Sequence, residues 1–252
     1  MNAVMKSLAV ETRFEVLRLA RQPAYLAPLF AFPLAFYYLF GITMNQHAHL
    51  GASAATYFLA SYGAFGVIGA ALFGFGVTLA LERGEGWLVL RRASPMRLSC
   101  YLTAKMFAAL TFAAGIAVAL IVLGVTAGGV RLPLETLFAL LGVLVAGATP
   151  FCAFGFAIGM TAPSNGASAI VNLLYLPLSF MGGLWIPAAR LPDTFKAIAP
   201  WTPTYHFGRL ALGALGIGSA SALDVAALAV WTCAFLALAA FGWRRDESRG
   251  NV

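Results

Sequence analysis

Three long stretches of the chain contain no Asp, Glu, Lys or Arg, and they restrict the possible folds more than any other feature. They are Gln22–Leu81, Met106–Val130 and Thr136–Ala189, with 60, 25 and 54 residues. A helix that crosses a bilayer needs about 20 predominantly apolar residues. The first and third stretches therefore each have room for two crossings and the second for one, which predicts an integral membrane protein.

The composition supports that interpretation. Of the 252 residues, 61 % are apolar and 10 % are charged, whereas soluble domains usually carry about 25 % charged residues. A disordered chain is also excluded, because this much apolar surface is enough to offset the entropy cost of ordering. The stretches are long and show no alternating pattern, so we expect membrane-spanning helices and not the strands of a barrel.

A last apolar segment near the C-terminus brings the predicted number of spans to six. The expected fold is therefore all-α and integral to the membrane, with one transmembrane domain over residues 1–252. The approximate spans are Ala24–Met44, Thr56–Leu81, Leu102–Ala127, Leu137–Met160, Ala167–Leu184 and Val225–Trp243.

The basic residues predict how the chain is oriented. Twelve of the 16 Lys and Arg residues lie before the first span, between the second and third, or after the sixth, and four lie on the opposite side. Because cytoplasmic loops near span ends collect positive charge, we expect both termini in the cytoplasm. The net charge of +7 is then explained by attraction to an anionic lipid bilayer, and no nucleic acid partner is implied.

Residues 4–21, before the first span, are expected to form an amphipathic helix lying in the membrane surface. Steps of three and four place apolar side chains on one predicted face, and charged side chains fall opposite them. The alternative is a simple extension of the first span into water. The apolar face comprises Met5, Leu8, Val16 and Leu19, and the charged face comprises Glu11, Glu15, Arg18 and Arg21.

The cytoplasmic segment Glu82–Lys105, which continues from the second span, is dense in charge and carries unusual apolar side chains. Trp87, Leu88 and Leu90 offer more apolar surface than a solvated loop needs. One interpretation of residues 82–98 is a helix lying on the inner leaflet. The other is a helix that docks in a groove of a soluble partner.

The segment after the fifth predicted span, Gly182–Leu215, cannot form one continuous helix. Four prolines interrupt it, because proline removes a backbone donor and clashes with the preceding turn. Its aromatic side chains nevertheless make it too apolar for a free loop. We therefore expect residues 185–210 to form short broken helices that dip into the outer leaflet, with their freed backbone groups facing protein or water.

Residues for catalysis or metal binding are not found in a usable pattern. The spans lack the mid-membrane ionisable residues that mark ion-coupled pumps, and no Gly-Lys sequence provides a P-loop. The thiols Cys100, Cys152 and Cys233 are isolated, and His47 and His49 have no acidic neighbour. No catalytic residue, no metal site and no cofactor bound by this chain is therefore predicted.

Two segments together resemble the membrane subunits of type-2 ABC transporters, which are exporters that pair a six-helix permease with a separate ATPase. The first cytoplasmic loop of that family is similar to a set of residues between the second and third spans, and its second hallmark is similar to Asn172–Leu210. Phe32–Gly41 also resembles the family's first span. The loop residues are Glu82, Gly86, Leu88, Leu90, Pro95, Tyr101 and Lys105.

This resemblance implies a permease in a bacterial cytoplasmic (inner) membrane that forms a homodimer. It implies a partner ATP-binding cassette subunit in two copies, which binds ATP and Mg, and the export of a hydrophobic or amphipathic compound. An exporter of a lipid-linked polysaccharide is the alternative, followed by a proton-coupled carrier. A membrane-embedded assembly subunit without transport also stays open.

The composition and the chain breaks of these segments suggest expected roles for individual residues. Docking of the ATPase is expected at Glu82, Glu85, Gly86, Leu88, Leu90, Arg91 and Pro95. An outer gate is expected at Gly182, Gly183, Pro187, Leu191, Pro192, Pro200 and Pro203. A substrate path is possible along Phe36, Tyr37, Tyr62 and Phe65, whose alternative role is packing against lipid and neighbouring helices.

Overall fold

A computed structural model describes residues 3–44, 51–92 and 98–248, which form helices joined by short turns. We number them α1 to α11. Helix α2 is α-helical over Pro23–Phe36 and continues as a π-helix over Tyr37–Thr43, and α3 joins Gly51–Ala71, the π-helix Leu72–Val77 and Thr78–Gly84. The others are α1 Ala3–Ala20, α4 Trp87–Arg92, α5 Leu98–Thr126, α6 Leu134–Gly147, α7 Thr149–Thr161, α8 Ala167–Met181, α9 Asp193–Ile198, α10 Pro203–Ala214 and α11 Ala222–Glu247.

Five helical segments within the described residues are long and apolar enough to cross a membrane, and they confirm five predicted spans to within a few residues. Two of them are composite, because α2 includes its π-helix and α6 runs directly into α7. The segments are Pro23–Thr43, Ala54–Gly84, Leu98–Thr126, Leu134–Thr161 and Ala222–Glu247. At 1.5 Å per residue, the 31 residues of the second segment extend about 46 Å, well beyond a hydrocarbon core of about 30 Å.

The remaining predicted span, Ala167–Leu184, coincides with α8, which has 15 residues and ends at Met181. Such a helix is about 22 Å long, shorter than the hydrocarbon core of a typical bilayer. The chain stops being helical at Gly182 and Gly183, and Gly183 has a φ of 77° that favours glycine. Because α8 is shorter than the hydrocarbon core, the six-span arrangement remains a prediction.

Helix α3 is the central helix of the bundle. In its most apolar stretch 89 % is buried, against 22 % for α11. Small side chains make this possible, because they let neighbouring backbones approach closely. One close approach is between Gly76 of α3 and Gly155 of α7, where a Cβ on Gly76 would lie 2.8 Å from the Cα of Gly155.

The two ends of the bundle carry different polar groups. At one end, which we call the Glu82 end, α3 terminates beside α1, α4 and the last turn of α11. At the other, which we call the Asp224 end, α11 begins beside α10. Helix α11 separates Asp224 from Asp246 by 22 residues, or about 33 Å. The N-terminal helix and the C-terminal turn therefore lie at the same end.

Helix α1 is present where a helix was predicted, but the prediction that its acidic residues lie on the face away from the protein was wrong. Glu15 is 3 % exposed and Leu19 is 1 % exposed, so a carboxylate and a leucine share the face turned into the protein. Phe14 and Val10, in contrast, are exposed. The acidic residues point inward because basic partners on α4 and α5 receive them, which local periodicity does not reveal.

Candidate docking site and the ion-pair network behind it

A buried network of ion pairs holds α1, α3 and α5 together at the Glu82 end. The ammonium of Lys105 on α5 donates to Glu82 of α3 at 2.8 Å and to Glu15 of α1 at 3.3 Å. Its third donor reaches the hydroxyl of Thr78 at 3.2 Å. The side chain of Lys105 is 1 % exposed, so these three bonds replace the hydrogen bonds that its ammonium would make to water.

The network carries no large excess of charge. Arg18 of α1 pairs with both Glu82 and Glu15, so two carboxylates face two cations. Removing charges from water costs several kcal/mol per ion, and only close partners with good hydrogen-bond geometry compensate for it. The network therefore fixes where α1 lies against α3 and α5.

The next residue along α3, Arg83, fastens the opposite side of the bundle. Its guanidinium donates to the Met160 carbonyl at 2.7 Å, to the Ala162 carbonyl and to the carboxylate of Asp246. Those carbonyls belong to the end of α7, where backbone oxygens have no partner within the helix and a cation is favoured. Arg83 thus joins α3, α7 and α11.

Helix α4 follows after a turn at Gly86, whose φ of 78° favours glycine. One side of α4 is turned inward: Leu88 has no exposed surface, and Arg91 pairs with Glu11 of α1 and lies 4.7 Å from the ring centre of Tyr101. The other side is open, because Trp87 is 50 % exposed and Leu90 is 63 % exposed.

The residues predicted for ATPase docking therefore divide into two groups. Glu82, Leu88 and Arg91 face into the protein: Glu82 joins α3 to α1 and α5, and the other two hold α4 in place. Glu85 is exposed and accepts a hydrogen bond from the Trp87 indole at 3.0 Å, and Leu90 projects outward beside it. Gly86 makes the turn between the helices, and Pro95 lies outside the described residues.

A cavity of about 540 Å³ opens beside α4. It lies between the α3–α4 turn, the end of α7 and the last turns of α11. Gly84, Val89 and Phe241 contribute backbone and apolar surface, while Arg245 contributes a cation. The cavity and the exposed side of α4 share Val89, which is 47 % exposed, so together they form one surface at the Glu82 end.

A second polar cluster occupies the Asp224 end. His206 of α10 makes two hydrogen bonds of 2.8 Å, from Nδ1 to the carboxylate of Asp224 and from Nε2 to the carbonyl of Pro200. The Asp224 carboxylate also accepts from the backbone and hydroxyl of Ser221, completing a capping box at the start of α11.

The predicted outer-gate residues surround short helical pieces that lie between α8 and α10. Gly182 and Gly183 end α8, and Pro187 and Pro192 precede a 3-10 turn at Ala188–Arg190 and helix α9. Pro200 lies in a 3-10 turn and Pro203 begins α10. The side chain of Leu191 is 2 % exposed and anchors the segment.

The end of α8 packs closely against α10. Thr204 donates to the Leu178 carbonyl at 2.6 Å, and a Cβ added to Gly182 would lie 2.2 Å from the Thr204 hydroxyl oxygen. Glycine at position 182 is therefore required by packing, since any side chain there would displace α10.

Three of the four aromatic residues predicted for a substrate path lie together. The ring of Phe36 lies 6.2 Å from that of Tyr62 and 6.3 Å from that of Phe65, and the indole of Trp185 is 5.7 Å from both phenylalanines. This cluster joins α2 and α3 to the segment after α8. Tyr37 is fully buried on another side, where its hydroxyl lies against α5.

The cysteines lie apart from these sites. Cys100 and Cys152 are buried and Cys233 is exposed, and all three are free thiols. Over residues 3–44, 51–92 and 98–248 no group of three His, Cys, Asp or Glu side chains has an arrangement that could hold a metal ion. His47 and His49 lie outside the described residues.

Sequence reasoning missed the network behind α4. Lys105 and Glu82 had been singled out for the loop they belong to, but Glu15, Arg18 and Arg83 had no assigned partner. One signal was available: charged residues of both signs collect at the ends of the predicted spans on one side of the membrane. Such ends lie next to one another in a bundle, so residues of opposite charge there are expected to pair with one another.

Comparisons with known proteins cover nearly the whole chain. A model of the family described as ABC-2 type transporter matches residues 7–215, which extend from α1 to the end of α10. The chain is also similar to a Bacillus subtilis (strain 168) protein named "Putative transport permease YvfS". The two are 28 % identical over 249 residues, which cover 98 % of this chain and 100 % of the relative.

Proposed function

This chain belongs to the ABC-2 type transporter family, and from that premise we propose that it is the permease subunit of an ATP-driven exporter. As a member of the family it is a multi-pass membrane protein and a transport subunit, not an enzyme. Two copies of a separate ATP-binding subunit bind ATP and Mg and hydrolyse the nucleotide. The membrane is the bacterial cytoplasmic membrane, with the Glu82 end on the cytoplasmic side.

The exposed apolar side of α4 carries this proposal. Trp87, Val89 and Leu90 present their side chains to solvent at the end of a helix bundle, while Leu88 and Arg91 hold the same helix against the protein. A short helix with one anchored side and one open apolar side suits a groove on a soluble partner. The neighbouring cavity gives room for a side chain from that partner.

The ion pairs behind α4 connect this helix to the rest of the bundle, so docking at α4 can move other helices. Arg91 links α4 to Glu11 of α1, Glu82 links α3 to α5, and Arg83 links α3 to α7 and α11. A displacement of α4 on nucleotide binding therefore acts on the ends of five helices. Rigid elements joined by such contacts move together, which is how a small shift becomes a domain motion.

We further propose six crossings, in spite of the short α8. Helix α7 ends beside Arg83 at the Glu82 end, while α11 starts beside His206 at the Asp224 end. The intervening chain has to return from one end to the other, and α8 is the helix available for it. An even number of crossings also agrees with α1 and the end of α11 lying together.

A homodimer of this chain is proposed to form the translocation path for a hydrophobic or amphipathic compound. Small conformational changes at Gly183 and at the prolines after it would open and close the Asp224 end without any charge in mid-membrane. The contact of Trp185 with Phe36 and Phe65 links this gate to α2 and α3. The aromatic cluster is thus a candidate surface for the exported compound.

The docking proposal is tested by co-expressing this chain with its ATP-binding subunit. The double variant Trp87→Ala, Leu90→Asp should lose co-purification of that subunit by at least tenfold, because it removes exposed apolar area and introduces a carboxylate into the groove. Leu90→Met keeps the apolar surface and should co-purify as the parent does. Both variants should enter the membrane normally, since Trp87 and Leu90 are each at least half exposed.

Unchanged co-purification of the double variant would contradict docking through α4. Substitution of Leu88 is unsuitable for this purpose. That side chain is fully buried, so Leu88→Asp would disturb the fold and docking together.

A further inference from the structure

The acidic and basic residues of α1 lie on different sides of the helix. Both acidic residues of the helix are turned into the protein, where Glu11 pairs with Arg91 and Glu15 pairs with Lys105 and Arg18. The basic residues Lys6, Arg13 and Arg21 are exposed instead. No acidic side chain of the described residues pairs with any of these three.

The same face carries a stripe of apolar side chains. Val10 is 53 % exposed, Phe14 is 63 % exposed and Leu17 is 39 % exposed. Steps of four and three residues from Lys6 through Val10, Phe14 and Leu17 to Arg21 place them along one side of the helix. The stripe therefore has a cation at each end, and Arg13 flanks it.

We propose that this face of α1 binds the head groups of anionic phospholipids in the inner leaflet, with the apolar stripe inserted beneath them. A soluble partner is a poorer fit, because the long stems of Lys and Arg allow their charges to reach phosphate while neighbouring apolar side chains enter the acyl boundary. Each Lys or Arg near an anionic membrane surface strengthens binding to that surface by about fivefold. The proposal rests on the proposed orientation, with α1 at the cytoplasmic side.

Lipid binding at α1 also affects the helices to which α1 is attached. Glu11 and Glu15 are the residues that connect α1 to α4 and α5. A lipid surface that attracts the outward face of α1 thus fixes the position of α1, and α1 in turn holds α4 through Glu11. Anionic lipid is then expected to favour one position of α4, with or without an ATP-binding subunit.

A local measurement on the full chain in nanodiscs tests the proposal. A fluorophore is attached at Ala9→Cys, an exposed position on α1, in a background that lacks the three native cysteines. Quenching is compared between phosphatidylglycerol and phosphatidylcholine that carry a nitroxide on the head group at equal mole fraction. We expect phosphatidylglycerol to quench at least threefold more strongly, and the difference to shrink in high salt.

Two variants identify the residues responsible. Replacing Lys6, Arg13 and Arg21 with Gln should make the two lipids equally effective, whereas Lys6→Arg, Arg13→Lys, Arg21→Lys should keep the preference. As a control for net charge, Arg131, Arg190 and Lys196 at the opposite end are replaced with Gln, which should change nothing.

Two outcomes in the parent chain overturn the proposal without any variant. Equal quenching by both lipids would mean that α1 lies in the surface without selecting charge. Weak quenching by both would mean that protein, such as a second copy of this chain, covers the face. Because no ATP-binding subunit is present, either result leaves the docking proposal to its own test, and labelling of Ser248→Cys reports the orientation separately.

Discussion

Glu82 and Arg83 are neighbours in the last turns of α3, yet they bind opposite sides of the bundle. Glu82 accepts a hydrogen bond from Lys105 at 2.8 Å, and Arg83 donates one to the Met160 carbonyl at 2.7 Å. Successive side chains of a helix point about 100° apart, so two adjacent residues can reach different neighbours. The central helix is therefore fixed at its end by two independent sets of ionic contacts, directly before the turn into α4.

Replacing Lys105 with Met should strongly destabilise the protein. The change leaves two buried carboxylates with one cation, and breaking a buried pair in this way costs about 3–5 kcal/mol. The thermal midpoint of the purified chain in detergent measures the loss. Lys196→Met is the matched control, because Lys196 pairs with an Asp193 that is 99 % exposed, and such pairs contribute about 0–1 kcal/mol. Equal midpoints for the two variants would contradict a structural role for the buried network.

Gly76→Ala should disturb the contact between α3 and α7. The new Cβ would lie 2.8 Å from both the Cα and the carbonyl oxygen of Gly155, and neither atom can move without shifting a helix. Overpacking of this kind costs about 1–3 kcal/mol. Gly142→Ala on α6 provides the comparison, since nothing lies within 4 Å of a Cβ there and alanine favours helix. If Gly76→Ala is as stable as Gly142→Ala, the two backbones do not approach as described.

His206→Ala should loosen the segment before α10 while leaving α11 intact. Loss of the ring removes the bonds to Pro200 and Asp224, but the capping box from Ser221 to Asp224 remains. Hydrogen–deuterium exchange should therefore rise several-fold in peptides covering 199–206 and stay unchanged in peptides covering 222–230. Trp201→Ala removes a side chain that is 77 % exposed and should leave exchange in both peptides as in the parent. Faster exchange in 222–230 would show that His206 supports the start of α11 as well.

Single-cysteine labelling in intact cells should distinguish six crossings from five. Ala189→Cys and Ala197→Cys are exposed positions in the segment after α8, and Ser248→Cys lies just after α11. In a background lacking Cys100, Cys152 and Cys233, a membrane-impermeant thiol reagent should label the first two from outside. It should label Ser248→Cys only after the membrane is permeabilised. Because α11 lies between these positions, a chain in which α8 does not cross would give the reverse pattern: Ser248→Cys would be labelled in intact cells, and the other two only after permeabilisation.

Much of the fold could be predicted because charge is excluded from the membrane interior. The three long stretches without Asp, Glu, Lys or Arg placed four spans to within a few residues, and the apolar segment near the C-terminus placed a fifth. Helix α8 was harder to assess, since Gly182 and Gly183 end it earlier than the apolar stretch ends. The length of an apolar run sets an upper bound on a span, and local backbone conformation decides where the helix stops.

The faces of α1 and α4 could not be predicted, and the reason is the same in both cases. Hydrophobic periodicity assumes that charged side chains turn toward water, which fails when a partner distant in sequence neutralises them. Glu15 is separated from Lys105 by 90 residues, and Glu11 from Arg91 by 80. Leu88 is buried three residues before Arg91, whose partner Glu11 lies on α1. Only the assembled bundle brings these residues together.

The shared location of α1 and the last turn of α11 has a consequence for engineering and for gene architecture. The last turn of α11 reaches α3 through Asp246, at the end where α1 packs against Glu82. A flexible linker from the C-terminus of one copy to the N-terminus of the next would not have to pass through the bilayer. For the proposed homodimer, two copies can therefore be encoded as a tandem single chain, and the proposed ATP-binding subunit can be fused at either terminus on the same side. A tandem of this kind would allow one half to be changed while the other stays native.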